Sequence, residues 1–237
     1  MDSDSRSELD EARRLLGECV LFRGLGPDER RGLVAHAHVR KLAAGKTIFL
    51  MDSPGDSMMA VLSGSVRISV ASPDGKEIML AILQPGEIFG EIALLDGKGR
   101  SADARAMTAC SLAVLNRRDV VAFFERQPSA WIKLVEVLCD RLRRTDQQIA
   151  EVALLELPAR LAKALLRMSG DDRPSPAGAG AESIHLSQRE LGSIVGATRE
   201  SVNKCLREWQ RRGIVRVEDN VIKITNRGVL EKLADIG

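Results

Sequence analysis

The chain has 237 residues, of which 44% are hydrophobic and 29% charged, and its formal net charge is +2. That length suits two domains, and the apolar content excludes a chain that is disordered throughout, because it is enough to form buried cores. No apolar run approaches the roughly 20 residues that cross a bilayer. The N-terminus is polar and charged, so neither a membrane protein nor a secretory signal is predicted.

The cysteines are scattered and form no C-x-x-C pair. They are Cys19, Cys110, Cys139 and Cys205. Zinc knuckles, iron–sulfur clusters and disulfide frameworks need cysteines at short, repeated spacings. The sequence therefore predicts a cytoplasmic protein without a metal site.

Basic charge is concentrated towards the C-terminus. Residues 185–227 contain nine lysines and arginines against five acids, an excess of four positive charges, whereas residues 2–11 contain five acids and one arginine. A basic C-terminal region is where a nucleic-acid surface is expected, and a solvated helix face is the alternative.

The N-terminal half of the sequence shows two different patterns, one helical and one of short strands and turns. Residues 1–35 are predicted to be helical and amphipathic, with a break at the Gly-Leu-Gly-Pro of residues 24–27. From about residue 38 to residue 115, short alternating runs are separated by turn signals every 8 to 12 residues or so, which is typical of an antiparallel sandwich or roll. The Pro-Asp-Gly-Lys of residues 73–76 is predicted to be a hairpin tip.

One long helix is predicted from Pro128 to about residue 156, since neither glycine nor proline follows Pro128 in this stretch. Its apolar residues recur in alternating steps of four and three, a heptad repeat that favours a two-stranded coiled coil and hence a homodimer. The predicted seam is Trp131, Val135, Leu138, Leu142, Thr145, Ile149 and Val152. Thr145 is its one polar residue, with Asp146 beside it. A helix buried within its own domain is the alternative.

The C-terminal region begins at Leu157-Pro158, which interrupts the long helix and predicts a hinge at residues 156–158. A further helix over 159–168 and a Gly/Pro/Ser-rich surface loop over 169–182 follow. Two helices and a hairpin complete the chain, at residues 187–195, 198–212, 214–217 and 221–224. A helix-turn-helix followed by a hairpin is a winged helix.

The predicted fold class is α+β, with three parts. The first is an N-terminal antiparallel β-roll (jelly roll) with N-terminal helices, over residues 1–127. The second is a long dimerisation helix over 128–156, and the third is a winged helix-turn-helix domain over 157–237.

The first chemical motif is Phe-Gly-Glu-Ile-Ala-Leu-Leu-Asp-Gly-Lys-Gly-Arg-Ser-Ala, residues 89–102. Gly90 lets the backbone approach a ligand, and the N–H groups of a short helical turn after it favour an anion. Arg100 supplies a planar fork suited to phosphate, Ser101 a hydroxyl donor, and Glu91 an acceptor for sugar hydroxyls. The segment resembles the phosphate-binding cassette of cyclic-nucleotide-binding domains. An ion pair between Glu91 and Arg100 without a ligand is the alternative.

The second motif lies in the helix-turn-helix. Thr198 is predicted to cap a helix that presents Arg199 and Glu200 in its first turn and Lys204 one turn later. Arginine pairs bidentately with guanine, glutamate accepts from cytosine N4, and lysine donates to guanine or phosphate. Any solvated helix carries such residues, but their place on the second helix of the motif, before a basic wing, favours binding to double-stranded DNA.

With both motifs in this order, residues 15–230 resemble the CRP/FNR superfamily of bacterial cyclic-nucleotide-dependent transcription regulators. The resemblance implies a homodimer that binds a palindromic operator with cGMP or cAMP as effector, and RNA polymerase as a further partner. The implied nucleotide-binding residues are Gly90, Glu91, Ile92, Ala93, Arg100, Ser101, Arg141, Thr145 and, from the other subunit, Asp146. The implied DNA-binding residues are Arg199, Glu200 and Lys204 for bases, with Ser187, Arg189, Thr198 and Ser201 for phosphates.

Two positions depart from the family pattern, which has serine at Asp146 and arginine at Lys204. The effector and one base preference are therefore open. An ionised carboxylate only accepts hydrogen bonds, and guanine offers it N1–H and N2–H where adenine offers N6–H. This difference tilts the prediction from cAMP towards cGMP, whereas Thr145 both donates and accepts and does not discriminate. The alternative is that Asp146 faces solvent and selects nothing.

Other functions fit the sequence less well. A redox or gas sensor of the same superfamily needs clustered N-terminal cysteines or axial haem ligands, and the histidines are only His36, His38 and His185. An enzyme such as a cyclase or phosphodiesterase needs a metal cluster or a nucleophile–base pair, and none stands out. A purely structural adaptor would not need both the phosphate-binding cassette and the base-reading helix, so their presence argues against that function. A family member that senses another effector, such as a cyclic dinucleotide, stays the alternative.

Overall fold

The structure, a computed structural model, describes Cys19 and residues 36–74, 77–169, 183–219 and 221–235. The chain divides into two compact units, one ending at Arg143 and one beginning at Arg144. The predicted N-terminal helices, most of the predicted 169–182 loop and half of the 73–76 hairpin tip lie outside the described residues. The domain boundaries at residues 127 and 156 stay predictions.

The first unit contains two four-stranded sheets of antiparallel strands, as the turn spacing predicted. In chain order the strands are β1 (His38–Leu42), β2 (Thr47–Phe49), β3 (Ser57–Ser63), β4 (Val66–Ala71), β5 (Glu77–Leu83), β6 (Ile88–Phe89), β7 (Asp103–Ala106) and β8 (Cys110–Asn116). One sheet has the order β1-β8-β3-β6 and the other β2-β7-β4-β5. The predicted β-roll is confirmed.

Strand β3 is buried on both faces, because two cores meet at it. Met58 and Ala60 belong to a core that also contains Phe124 and Leu134 from helices. Met59 belongs to a second core, shared with strands of the other sheet. A strand covered on both faces reads as a continuous apolar run rather than an alternating one, which explains the sequence of β3.

Among the described residues of this unit, three helices begin: α1 (Glu91–Asp96), α2 (Arg117–Arg126) and α3 (Pro128–Leu154). The Trp131 ring stacks on Phe124, with ring centroids 4.4 Å apart, so the start of α3 is fixed on the core of its own unit. The 27 residues of α3 confirm the predicted long helix. No described helix is long and apolar enough to cross a membrane.

The second unit is a winged helix-turn-helix, as predicted. It comprises α4 (Leu157–Ser169), β9 (Ser183–His185), α5 (Gln188–Val195), α6 (Arg199–Arg211), β10 (Val215–Glu218), β11 (Val221–Ile224) and α7 (Arg227–Asp235). Pro158 lies in the first turn of α4, where its missing N–H costs no helix bond. Strand β9 was not predicted: its three residues are too few to show a period, and it forms by pairing with β11.

Candidate functional site

Arg100 lies at the centre of the cassette in the first unit, with 3% of its surface exposed. Its Nη1 donates to the carbonyl oxygens of Ser57 (2.7 Å) and Gly90 (2.8 Å), and its Nη2 donates to Ser57 Oγ (3.0 Å). The guanidinium carbon stands 4.3 Å from the centroid of the Phe49 ring. These contacts tie the start of β3 to the turn before α1.

One edge of the Arg100 fork is left without a protein partner. A guanidinium has five N–H donors, and three are used by Ser57 and Gly90. Nε is buried and has no hydrogen-bond acceptor, and Nε–H shares its edge with the second Nη2–H. Burial lowers the pKa of Arg100 from its ordinary value, while the charges of Asp56 and Glu91 act in the opposite direction. This two-donor edge matches the spacing of two phosphate oxygens.

Two glycines allow the backbone to close around Arg100. Gly90 has φ +78°, and a Cβ there would lie 2.5 Å from Arg100 Nη1. At Gly55, a Cβ would lie 2.2 Å from the Cβ of Ala93 and 3.2 Å from Arg100 Nε. Side chains at either position would displace the guanidinium or α1, so the cassette needs glycine at both.

Glu91 is the second buried charge of the cassette, with 1% of its surface exposed. Its Oε1 accepts from Arg141 Nη1 on α3 at 2.5 Å, and Arg141 also donates to the carbonyl oxygen of Ile88. The partner of Glu91 is thus Arg141, so the alternative of a Glu91–Arg100 ion pair is not what the structure shows. Oε2 of Glu91 is buried without a hydrogen-bond donor, which leaves an acceptor for a ligand hydroxyl.

The other residues predicted for the nucleotide differ in exposure. Ala93 is buried, whereas Ile92 and Ser101 are exposed beside the cassette. Thr145 and Asp146 are exposed on α3. No group of His, Cys, Asp and Glu side chains that could hold a metal ion occurs among the described residues.

In the second unit, the two helices of the helix-turn-helix begin at side-chain caps. Ser187 and Glu190 form a capping box on α5, in which the Ser187 N–H donates to Glu190 Oε2 at 2.7 Å and the Glu190 N–H donates to Ser187 Oγ at 3.2 Å. Thr198 caps α6 by accepting from the Ser201 N–H at 3.2 Å. Both caps satisfy N–H groups that the helix itself leaves unpaired.

Helix α6 is amphipathic, with one face in the core and the other in solvent. Val202, Leu206 and Trp209 are buried. The predicted DNA-contacting side chains on the opposite face are exposed: Thr198, Arg199, Glu200, Ser201 and Lys204, with Arg189 exposed on α5. Ser187 is half-buried because its hydroxyl serves the capping box.

The exposed apolar face of α3 differs in part from the predicted seam. Val135, Leu142, Ile149 and Val152 are exposed as the seam requires. Leu138 is half-buried against the core of its own unit. Ile132 and Cys139 are exposed instead. We call the exposed residues Ile132, Val135, Cys139, Leu142 and Ile149 the free face of α3.

Three residues of the cassette were missed by the sequence analysis: Phe49, Gly55 and Ser57. Phe49 and Ser57 contact Arg100, and Gly55 leaves space for it, from a segment more than 40 positions earlier in the chain. A serine after a turn and a phenylalanine in a strand carry no motif, so no local pattern could have found them.

Comparison with known proteins assigns both units. A model described as a cyclic nucleotide-binding domain matches residues 39–127, and one described as a Crp-like helix-turn-helix domain matches residues 159–233. The first match includes the Arg100 cassette, and the second includes helix α6.

Full-length relatives agree. The CRP-like cAMP-activated global transcriptional regulator of Mycobacterium tuberculosis is 30% identical over 93% of this chain and 98% of its own length. The cyclic AMP receptor protein of Thermus thermophilus is 33% identical over 90% of this chain and 96% of its own. A solved structure, the c-di-GMP responsive regulator CLP of Xanthomonas campestris, has a TM-score of 0.75 over 84% of this chain and 99% of that one, at 23% identity, and shows the same fold. The chain therefore belongs to the CRP/FNR family of transcription regulators, which are not enzymes.

Proposed function

We propose that this protein is a cytoplasmic homodimer that binds a cyclic mononucleotide and, in response, binds a palindromic operator to control transcription. The observation that carries the proposal is the pair of unsatisfied buried groups in the cassette. The free edge of Arg100 suits a phosphate, and Glu91 Oε2 suits a ribose hydroxyl. A buried polar atom without a partner costs free energy, which a nucleotide that supplies both partners would recover.

The proposed effector is cGMP, with cAMP as the alternative. Asp146, exposed on α3, is a carboxylate acceptor, and guanine offers it two N–H donors. The curated relatives are named as cAMP-activated, and the regulator from Xanthomonas campestris as responsive to c-di-GMP. A cyclic dinucleotide is therefore a further candidate effector, after cGMP and cAMP.

Isothermal titration of the full chain with cGMP, cAMP and c-di-GMP tests this proposal. We expect both mononucleotides to bind, cGMP more tightly. Asp146→Ser is expected to shift the ratio of the two dissociation constants towards cAMP, because the hydroxyl both donates and accepts. An unchanged ratio would show that Asp146 does not read the base, and binding of c-di-GMP alone would replace the proposed effector.

For DNA we propose that Arg199, Glu200 and Lys204 read an operator half-site, which the resemblance to the family implies is TGTGA-like, with RNA polymerase as the partner at the promoter. We expect Arg199→Ala to cost about 1 to 3 kcal/mol and to relax the preference at one base pair, because a bidentate arginine–guanine contact is lost. Arg189→Ala is expected to weaken binding to all sequences alike. Fluorescence anisotropy with single-base operator variants measures both effects, and equal affinity for scrambled and palindromic DNA at saturating nucleotide would disprove specific binding.

The exposed cysteine on α3 offers a test of the dimer. We propose that the free face of α3 packs against the same face of a second copy, which would bring Cys139 close to the partner's Cys139. A short bismaleimide is expected to crosslink the wild-type protein into a covalent dimer at neutral pH. Cys139→Ser should abolish the crosslink, because Cys19 and Cys110 are buried and burial, with Glu208 adding to it, raises the pKa of Cys205 to about 11. Crosslinking that survives Cys139→Ser would mean another interface.

A further inference from the structure

Ser57 uses two of its oxygen atoms to bind the guanidinium of Arg100. Its carbonyl oxygen accepts from Nη1 at 2.7 Å and its Oγ accepts from Nη2 at 3.0 Å, so one residue occupies the edge between the two Nη atoms. Ser57 is buried, with 8% of its surface exposed, and it begins strand β3, where it pairs with Asn116 of β8. The sheet therefore holds both acceptors in place.

These bonds fix the direction of the free edge of Arg100. A guanidinium is planar and rigid, so the position of one edge determines the positions of the others. The second Nη1–H goes to the carbonyl oxygen of Gly90 at 2.8 Å, and the ring of Phe49, with its centroid 4.3 Å from the guanidinium carbon, covers one face. Nε–H and the second Nη2–H are left, and the buried Nε has no acceptor among the described residues. Turning these two donors in another direction would break the bonds to Ser57.

The hydroxyl of Ser57 is the part of this arrangement that depends on the side chain. A carbonyl oxygen would be present with any residue at this position, whereas the acceptor for Nη2 requires a short side chain that ends in an oxygen. Without that acceptor, Nη2 of Arg100 would have two unpaired N–H groups instead of one, and a buried unpaired donor costs free energy. A phosphate oxygen could then bind to either N–H group, and the phosphate would no longer have a single orientation.

We propose that Ser57 is a positioning residue of the phosphate site, whose hydroxyl holds Arg100 so that Nε–H and one Nη2–H meet the phosphate in one orientation. The inference rests on the proposed function, since it needs a bound cyclic nucleotide. The two exocyclic oxygens of a cyclic phosphodiester lie on different sides of its ring, so a fork held in one direction contacts them unequally. Acting through Arg100, Ser57 thereby makes the site stereoselective for the phosphate.

Titration calorimetry of the full chain tests this role with cGMP, cAMP and the two phosphorothioate diastereomers of each. Sulfur is a weaker hydrogen-bond acceptor than oxygen, so the ratio of the two diastereomers' dissociation constants reports how unequally the two exocyclic positions are contacted. We expect Ser57→Ala to lower the affinity for the unmodified nucleotide about fivefold and to bring this ratio towards one. Ser57→Thr, which keeps the hydroxyl, should keep the wild-type ratio, as should the control Ser63→Ala at the exposed end of β3. Ser57→Cys, with a weaker acceptor of similar shape, should give an intermediate ratio.

A double-mutant cycle with Arg100→Ala is the second measurement. Because Ser57 acts through Arg100, we expect Ser57→Ala to leave the residual nucleotide affinity of Arg100→Ala unchanged. An equal loss in both backgrounds would mean that Ser57 acts on the ligand or on the fold directly. If the wild type binds a cyclic mononucleotide but does not distinguish the diastereomers, or if Ser57→Ala keeps the wild-type affinity and ratio, the positioning role is overturned and the proposed function stands. A wild-type protein that binds no cyclic mononucleotide overturns both.

Discussion

Arg100→Ala is expected to reduce cyclic-nucleotide affinity at least tenfold and to destabilise the β-roll. A charge-assisted hydrogen bond to phosphate is worth about 1.5 to 3 kcal/mol, which corresponds to a factor of roughly 10 to 100 in the dissociation constant. The same substitution removes the three hydrogen bonds to Ser57 and Gly90. Buried acceptors in β3 and in the turn before α1 would be left unpaired, and this costs stability even without nucleotide.

Titration calorimetry and thermal unfolding of the full chain separate these two effects. Arg100→Lys keeps the charge without the planar fork, so we expect intermediate nucleotide affinity. Arg105→Ala is the matched control, because Arg105 is an exposed arginine in β7 of the same unit. Nucleotide binding that survives Arg100→Ala unchanged in a folded protein would remove Arg100 from the site.

Leu142→Asp is expected to yield a monomer with little affinity for operator DNA. Leu142 lies in the middle of the free face of α3 with 62% of its surface exposed, so the substitution disturbs no core of its own chain. In a dimer it would bury a charge at the seam without a partner, next to Asp146. A monomer has one winged helix and contacts one half-site only. In a two-fold dimer, the second half-site lies about 34 to 36 Å away in the next major groove.

Light scattering gives the oligomeric state, and operator titration gives the affinity. Gln147→Asp adds the same charge to α3 outside the free face, at an exposed position, and is expected to stay dimeric. If Leu142→Asp remains a dimer with full operator affinity, the subunits associate through a surface other than α3.

The elements that the sequence predicted well are those with short-range causes. The heptad spacing after Pro128 predicted α3, since helix periodicity is local. The helix predicted from residue 187 begins at a capping box whose serine and glutamate are only three residues apart, which is again a local cause. The turn signals predicted an antiparallel roll, and the order of the cassette and the helix-turn-helix motif indicated the family. The sequence by itself thus determined the fold class and the chemical types present at each site.

Tertiary structure alone decided how those groups are used. Arg100 bonds Ser57, 43 positions away, and Arg141 bonds Glu91, 50 positions away, and no local pattern encodes such pairs. The free face of α3 passes through Cys139 because the core of the first unit takes up Leu138 on another side of the helix. Periodicity shows which residues share a helix face, but only packing decides which face is covered and which stays open to a partner.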